Sequence, residues 1–327
     1  MELVSILIPV FNREVLIREA ICSALVQTYS NFEIIVVDNC STDGTWNVIQ
    51  QCAKMDSRIK AYRNDTNIGP VRNWQRCVSE ANGKYGKLLF SDDLMIPHFL
   101  ERTVPYLDDP DVAFVITAVT TGDCYHAEVI SDATRRESKQ LTSEQYFSLL
   151  FARKVPYSPG AGIFRMSDIQ ANLRTSFPTK IPRDFSTNGA GPDVLLYALT
   201  AMNYGYVIEL SEKLVFFRLH QGSFTVHNQN NGVTQGYRSA MAWFYKYQQS
   251  QYWAKYVVMS WMWDMFKVRR TISLKEYVDT YEGNGGVGEL IKVLFAILLL
   301  PGCFYKAAAI RRKASVLNPK TCLQVIK

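Results

Sequence analysis

The chain has 327 residues, of which 48% are hydrophobic and 20% charged, and a formal net charge of +6. This is globular composition, which excludes a disordered or fibrous chain and leaves room for one large domain with an appendage, or for two domains. Six basic and no acidic residues between Lys306 and Lys327 equal the whole net charge, so a general nucleic-acid binder is disfavoured and a local patch suited to an anionic membrane surface remains.

The start, Met1 to Ser5, has no basic region and the first apolar run is short, so no signal peptide is expected. Seven scattered cysteines (22, 40, 52, 77, 124, 303, 322) form no C-x-x-C pair. They predict reduced thiols in the cytosol, and neither a disulfide frame nor a zinc site.

Taken in order, Leu3 to Pro9 reads as a buried strand, and Glu14 to Gln27 as a helix with apolar residues at helical spacing. Phe32 to Val37 is a second strand ending in Asp38. Ser41 to Gly44 supplies capping residues for a helix over 42–55. Arg58 to Arg63 is a weaker strand, and 70–81 a helix with Pro70 in its first turn. The run Lys87-Leu-Leu-Phe-Ser-Asp-Asp93 is a buried strand that ends in two carboxylates, and a helix follows over 97–107.

Strand and helix alternate at short spacing, which implies a doubly wound α/β sheet with right-handed crossovers. Its strand ends bring Pro9 to Phe11, Asp38 and Asp92-Asp93 to one edge, where such sheets bind ligands. Paired carboxylates at a strand end suit a hard divalent cation carrying phosphate oxygens; the alternative is a turn or helix cap. Neither G-x-G-x-x-G nor G-x-x-x-x-G-K-[ST] occurs, which disfavours dinucleotide dehydrogenases and P-loop enzymes.

Beyond this, 112–117 reads as a strand, 122–140 as a polar excursion, 142–151 as a helix and 155–164 as a loop. A helix opens at Ala190-Gly-Pro-Asp193 and runs to about residue 203, and a strand over 214–219 ends at His220. Residues 232–267 form a long helical stretch crowded with aromatics, and the composition change at 226 divides the chain into 1–225 and 226–327. Leu290 to Leu300 has ten apolar residues in eleven, broken by Lys292. It is too short for the roughly 20 residues a spanning helix needs, and suits the membrane interface or a buried helix of a C-terminal bundle.

The motifs Ser5 to Arg13, Val37 to Thr45, Asn67 to Asn73 and Leu88 to Asp93, with Gly191-Pro-Asp193 and Phe217 to Thr225, resemble the family 2 glycosyltransferases. Those of bacterial polysaccharide and O-antigen synthesis are the nearest type. The resemblance covers about residues 3–225. It implies a GT-A fold, a Rossmann-like mixed sheet, here followed by a helical, aromatic-rich C-terminal region. It also implies inverting transfer of a sugar from a nucleotide-sugar, read as UDP-linked, to a glycan hydroxyl on a lipid-linked acceptor. The enzyme would sit on the inner face of the cytoplasmic membrane as a peripheral protein.

Residue by residue, the resemblance assigns Pro9, Phe11 and Asn12 to the nucleotide, with Phe11 stacking on the base. Asp38 would accept from base or ribose, and Arg72 would meet the nucleotide. Asp93, Asp92 and His220 would hold Mn2+ or Mg2+, with Asp92 also toward the ribose. Arg218 and Ser223 would bind diphosphate. Asp193 would be the catalytic base, with Asp184 as fallback, and residues 157–162 an acceptor-side loop. Two positions depart from the pattern: Phe90 stands where many members carry a further Asp, and Pro192 where an acidic residue is common. They keep open a non-catalytic nucleotide-sugar or glycan-binding module. A sugar-1-phosphate nucleotidyltransferase would need a Gly-rich basic loop after the first strand, which residues 11–14 do not supply.

Overall fold

The computed structural model describes residues 1–123, 138–180, 183–220, 231–265, 273–281 and 291–293. They fall into two compact units, Met1–Phe177 with Asp184–Tyr237, and Pro178–Arg183 with the residues from Arg238 onward. The division lies inside one helix; the compositional boundary at 226 falls in 221–230, outside the described residues.

In the first unit, strands β1 (Val4–Val10) and β2 (Phe32–Asp38) are buried at every residue, as expected of parallel strands covered on both faces. They pair in parallel register, Val4 opposite Phe32 and Val10 opposite Asp38. β3 (Ile59–Arg63) and β4 (Tyr85–Leu88) extend this parallel half on either side. Helices α1 (Ile17–Leu25), α2 (Thr45–Met55) and α3 (Pro70–Glu80) make the crossovers. α1 packs on α2, and α3 packs on β1 and β2. Asp43 accepts from the Thr45 amide at 3.0 Å, which satisfies one of the free N–H groups at the start of α2.

The second half of the sheet is mixed. After β5 (Leu94–Met95) and α4 (Phe99–Thr103) come β6 (Val112–Gly122), β7 (Ser138–Thr142), α5 (Ser143–Phe151) and β8 (Gly162–Arg165). α6 (Met166–Asn172), α7 (Pro192–Ala201) and β9 (Tyr206–Arg218) follow. Among the described residues the strand order is β3-β2-β1-β4-β8-β6-β9-β5, with β7 on β9. β8 is antiparallel to both β4 and β6, so the stretch read as loop over 155–164 ends in a strand at the centre of the sheet. β9 is longer than the strand expected over 214–219. It reaches back to Tyr206, with register shifts against β6 that a short apolar run does not reveal. The helix expected over 97–107 is α4 followed by a 3-10 turn over Val104–Asp108.

The aromatic stretch expected as one helix is two, α8 (Asn231–Tyr247) and α9 (Ser250–Trp263), separated at Gln248-Gln249. α10 (Leu274–Thr280) follows. In the second unit Trp243, Phe244, Tyr245, Trp253 and Tyr256 are buried, and Tyr245 meets Tyr256 at 5.1 Å between ring centroids. The aromatic wealth there builds a core. Inside it, Arg238 pairs with Asp264, which also accepts from the Tyr277 hydroxyl at 3.3 Å. Such a buried pair is costly to break by removing one partner. Among the described residues no helix is long and apolar enough to cross a membrane; the apolar run over 290–300 lies almost entirely outside them, as does the basic tail.

The central strands carry the packing energy. Ile34, fully buried in β2, should cost about 2–5 kcal/mol on truncation to alanine. Val15, 80% exposed, should cost under about 0.5 kcal/mol. Urea unfolding midpoints of the two variants measure this difference.

Candidate active site

β4 ends at Leu88, but the chain keeps its pairing one residue further, with the Leu89 amide on the Leu7 carbonyl at 2.9 Å. A turn closed by Asp93 N–H to the Phe90 carbonyl (3.0 Å) then presents the two carboxylates. β5 holds them in place by pairing Leu94 with Phe216 of β9. This brings the end of β9 to the acid pair: the Arg218 amide donates to Asp93 Oδ1 at 3.1 Å. Its guanidinium donates to the Asp92 carbonyl at 3.2 Å and to Glu19 at 2.5 Å. His220 Nε2 lies 3.0 Å from Asp92 Oδ2, and Arg13 Nε 3.8 Å from the same oxygen.

The two acids are in different surroundings. Asp93 is buried, and burial followed by the charge of Asp92 holds its carboxyl well above the usual carboxylate range. Lys87, on the strand leading to it, is fully buried; its ammonium donates to the Gly160 carbonyl and sits 4.4 Å from the centre of the Phe99 ring. Burial pushes that ammonium down to about 7. Charge on Asp93 is therefore poorly compensated by the protein alone. Among the described residues no group of three or more His, Cys, Asp or Glu side chains could hold a metal ion.

The nucleotide edge is built by turns of asparagine and serine. Pro9 is buried opposite Val37. Phe11 is 39% exposed at the end of β1. Asn12 takes φ +50°, a region that asparagine tolerates, and its side chain accepts from the Thr42 amide at 2.9 Å. Asp38 is wholly buried; it accepts from the amide and hydroxyl of Ser41 and pairs with Arg63 at 3.1 Å. Asn39, Asn64, Asn67 and Asn73 bond to one another and tie this edge to the start of α3. Arg72 stands at that start, half exposed and 3.4 Å from Asp184.

Asp193 opens α7. Gly191 before it has φ +116°, a conformation that favours glycine. The turn aims the Gly191 and Val194 amides at Asp193 Oδ1, at 2.9 and 2.7 Å. Oδ2 accepts from the Tyr237 hydroxyl at 2.5 Å. Burial pushes the carboxyl up to about 7, with these hydrogen bonds acting in the opposite direction. Tyr157 meets Tyr237 edge-on at 5.3 Å. Asp184 differs: its side chain is 49% exposed, it accepts from the Ser186 amide, and it faces Arg72.

Trp74 connects the two acidic centres. Its ring lies 5.2 Å from that of Phe90, and a Cβ on Gly189 would sit 2.6 Å from it. Gly160 lies beneath Phe90 and Phe217. Of the residues expected from sequence, the fold gathers Asp92, Asp93, Arg218 and His220 at one point. Ser223 is outside the described residues. Arg13, Glu19, Lys87, Trp74 and Tyr237 were not singled out from sequence as site residues. Arg13 ends a motif that could have signalled it, whereas Tyr237 is one aromatic in a crowd of them.

The profile of Glycosyl transferase family 2 matches residues 5–170, just over half of the chain. An uncharacterized glycosyltransferase of Haemophilus influenzae is 37% identical over 109 residues, 33% of this chain and 34% of that protein. The Escherichia coli UDP-Glc:alpha-D-GlcNAc-diphosphoundecaprenol beta-1,3-glucosyltransferase WfaP is 36% identical over 115 residues, 35% of this chain and 45% of WfaP. The matches thus span less than half the length of either relative. In fold, the chain is similar to S. aureus TarS 1-349, crystallised with UDP-GlcNAc, at a TM-score of 0.61 and 17% identity, over 90% of this chain and 79% of TarS 1-349. That likeness shows a GT-A fold, and with the profile it establishes that the chain belongs to glycosyl transferase family 2.

Proposed function

We propose that the chain is an inverting glycosyltransferase that moves a sugar from a nucleotide-sugar, UDP-linked, to a hydroxyl of a lipid-linked glycan in cell-surface polysaccharide synthesis. One observation carries this reading: two buried acidic centres with different partners lie on one frame. Asp92 and Asp93 sit among Arg13, Arg218 and His220. Asp193 is buried, and among the described residues its hydrogen-bond partners are two amides and a tyrosine. The first setting suits a leaving diphosphate, and the second a base poised near neutrality. WfaP and TarS support the UDP-sugar, and the name of WfaP supports the lipid diphosphate acceptor.

Mn2+ or Mg2+ fits the acid pair by its donor chemistry, because Asp92 and Asp93 present neighbouring carboxylate oxygens at a strand end. Asp92 and Asp93 would hold the ion together with oxygens of the diphosphate; His220, expected as a third ligand, forms no such three-residue group among the described residues and would instead orient Asp92, 3.0 Å away. When bound, such an ion neutralises charge on the departing diphosphate. Phe11 would lie on the base, Arg13 and Arg218 would orient the diphosphate, and Asp193 would take the proton of the acceptor hydroxyl as its oxygen bonds to the anomeric carbon. The carbon-to-diphosphate bond breaks on the opposite face, which inverts the centre. Asp184, exposed and paired with Arg72, is the weaker candidate for this role. The apolar run and basic tail of residues 290–327 support peripheral contact with an anionic membrane.

Free nucleotide released from a panel of UDP-, GDP-, CDP- and dTDP-sugars should appear with the UDP donor, vanish with EDTA and return with Mn2+. Asp93→Ala should lose at least about 100-fold of it. Absence of both release and binding with every donor would sink the reading.

Asp193→Asn should lower transfer about 10²–10⁴-fold. In the unmodified protein the rate should rise with pH through about 7, as the carboxyl becomes a base. The stability linkage has the opposite sense. A carboxyl raised above its unfolded value favours the folded state when protonated, so its contribution is lost as pH climbs from about 4 to about 7. Thermal unfolding across that window should show a decline that Asp193→Asn lacks.

A variant without residues 286–327 should leave the membrane fraction for the soluble one while staying folded by circular dichroism. Full retention on membranes would contradict the peripheral attachment.

A further inference from the structure

We propose that Tyr237 is a positioning residue for the base: its hydroxyl, brought to Asp193 by the close seating of α8 on Ala190, fixes the carboxylate so that one lone pair of Oδ2 is aimed at the acceptor. The inference rests on the reading of Asp193 as that base.

The geometry leaves the carboxylate few choices. Oδ1 already accepts two amide N–H groups, from Gly191 and Val194. Among the described residues Oδ2 accepts one hydrogen bond, from Tyr237 at 2.5 Å. A carboxylate oxygen has room for two partners, so the second site on Oδ2 is where a hydroxyl proton can arrive. Tyr237 keeps its own proton, since burial and the charge of Asp193 hold its phenol far above the usual range. The proton accepted in transfer therefore comes from the acceptor and resides on Oδ2.

A second feature shows that this contact is built in. Gly236 precedes Tyr237, and a Cβ there would lie 2.5 Å from the Ala190 carbonyl oxygen. Only a glycine lets α8 approach the loop that opens α7 this closely. Tyr157 packs edge-on against the Tyr237 ring at 5.3 Å between centroids. Among the described residues the titratable groups facing Asp193 are Tyr157 from the loop before β8, Tyr197 on α7 itself and Tyr237 on α8. Of these, Tyr237 is bonded to it, and that bond favours the charged carboxylate. Both Gly236 and Tyr237 lie beyond residue 170, where the family match ends.

The test uses the full chain labelled with 13C at aspartate carboxyls, with Asp193→Asn identifying the resonance. Tyr237→Phe removes the hydroxyl and keeps the ring. It should move the Asp193 titration midpoint up by about one pH unit. It should move the acidic limb of kcat by the same amount and lower kcat about tenfold at pH 7, with the donor KM unchanged. Gly236→Ala should shift the midpoint in the same direction. A midpoint unmoved in Tyr237→Phe overturns the proposal, whatever the activity. A midpoint that moves in a protein that transfers from no donor removes the base assignment instead, and the proposal falls with it for that separate reason.

Discussion

Two neighbouring carboxylates at the end of a buried strand cannot both stay charged unless cations or polar hydrogens come to them. Taking an ionised carboxylate out of water costs several kcal/mol even after the protein relaxes, and a like charge on the next residue adds to that. The first unit answers this demand from three directions. Arg13 comes from the loop before α1, and Arg218 and His220 come from the far end of β9. Even so, Asp93 stays protonated more readily than a surface aspartate. The strand end therefore remains a place where burial of charge is incompletely offset.

Asp193 meets the same physics with a different outcome. Its carboxyl is also raised by burial, but its partners are two amides and a phenol. Dipoles hold a carboxylate in place without fully neutralising it, so the group stays close to the point where it gains or gives up a proton. One frame thus carries an acid pair that is short of cations and a single acid held by dipoles. Trp74 touches both regions, through Phe90 and through Gly189, and fixes their separation by packing.

Much of this was legible in the sequence. Near-continuous apolar runs marked β1 and β2, because strands covered on both faces need no alternation. Asp92-Asp93 and Asp193 stood out because carboxylates after an apolar run, or after Gly-Pro, are conspicuous. Elements that lack such patterns were hidden. β8 is four residues long with a glycine at its head, and β7 is polar because no residue in it is fully buried. The two antiparallel pairings of β8 depend on partners more than 40 residues away, such as Phe114 with Phe164. The break between α8 and α9 falls in the short polar run Gln248-Gln249-Ser250-Gln251, which the aromatic residues on either side obscure. Tyr237 illustrates the limit most directly. Nothing local marks it out from Tyr245 or Tyr247, and its significance comes only from where α8 crosses the Ala190 loop. Asp193 and its fallback Asp184 differ in burial, which the sequence does not reveal.

The route of β9 has a consequence for how the protein comes into being. Arg218 contacts the acid pair across a sequence separation of 125 residues, and His220 across 128. Contacts that close such long loops form late, because the entropy of closure is spent before the contact repays it. A chain emerging from the ribosome can complete the local β1 to β4 half early, with its carboxylates still facing water. Their counter-charges arrive only when β9 inserts between β6 and β5. Completion of the acidic centre and closure of the sheet are then a single event.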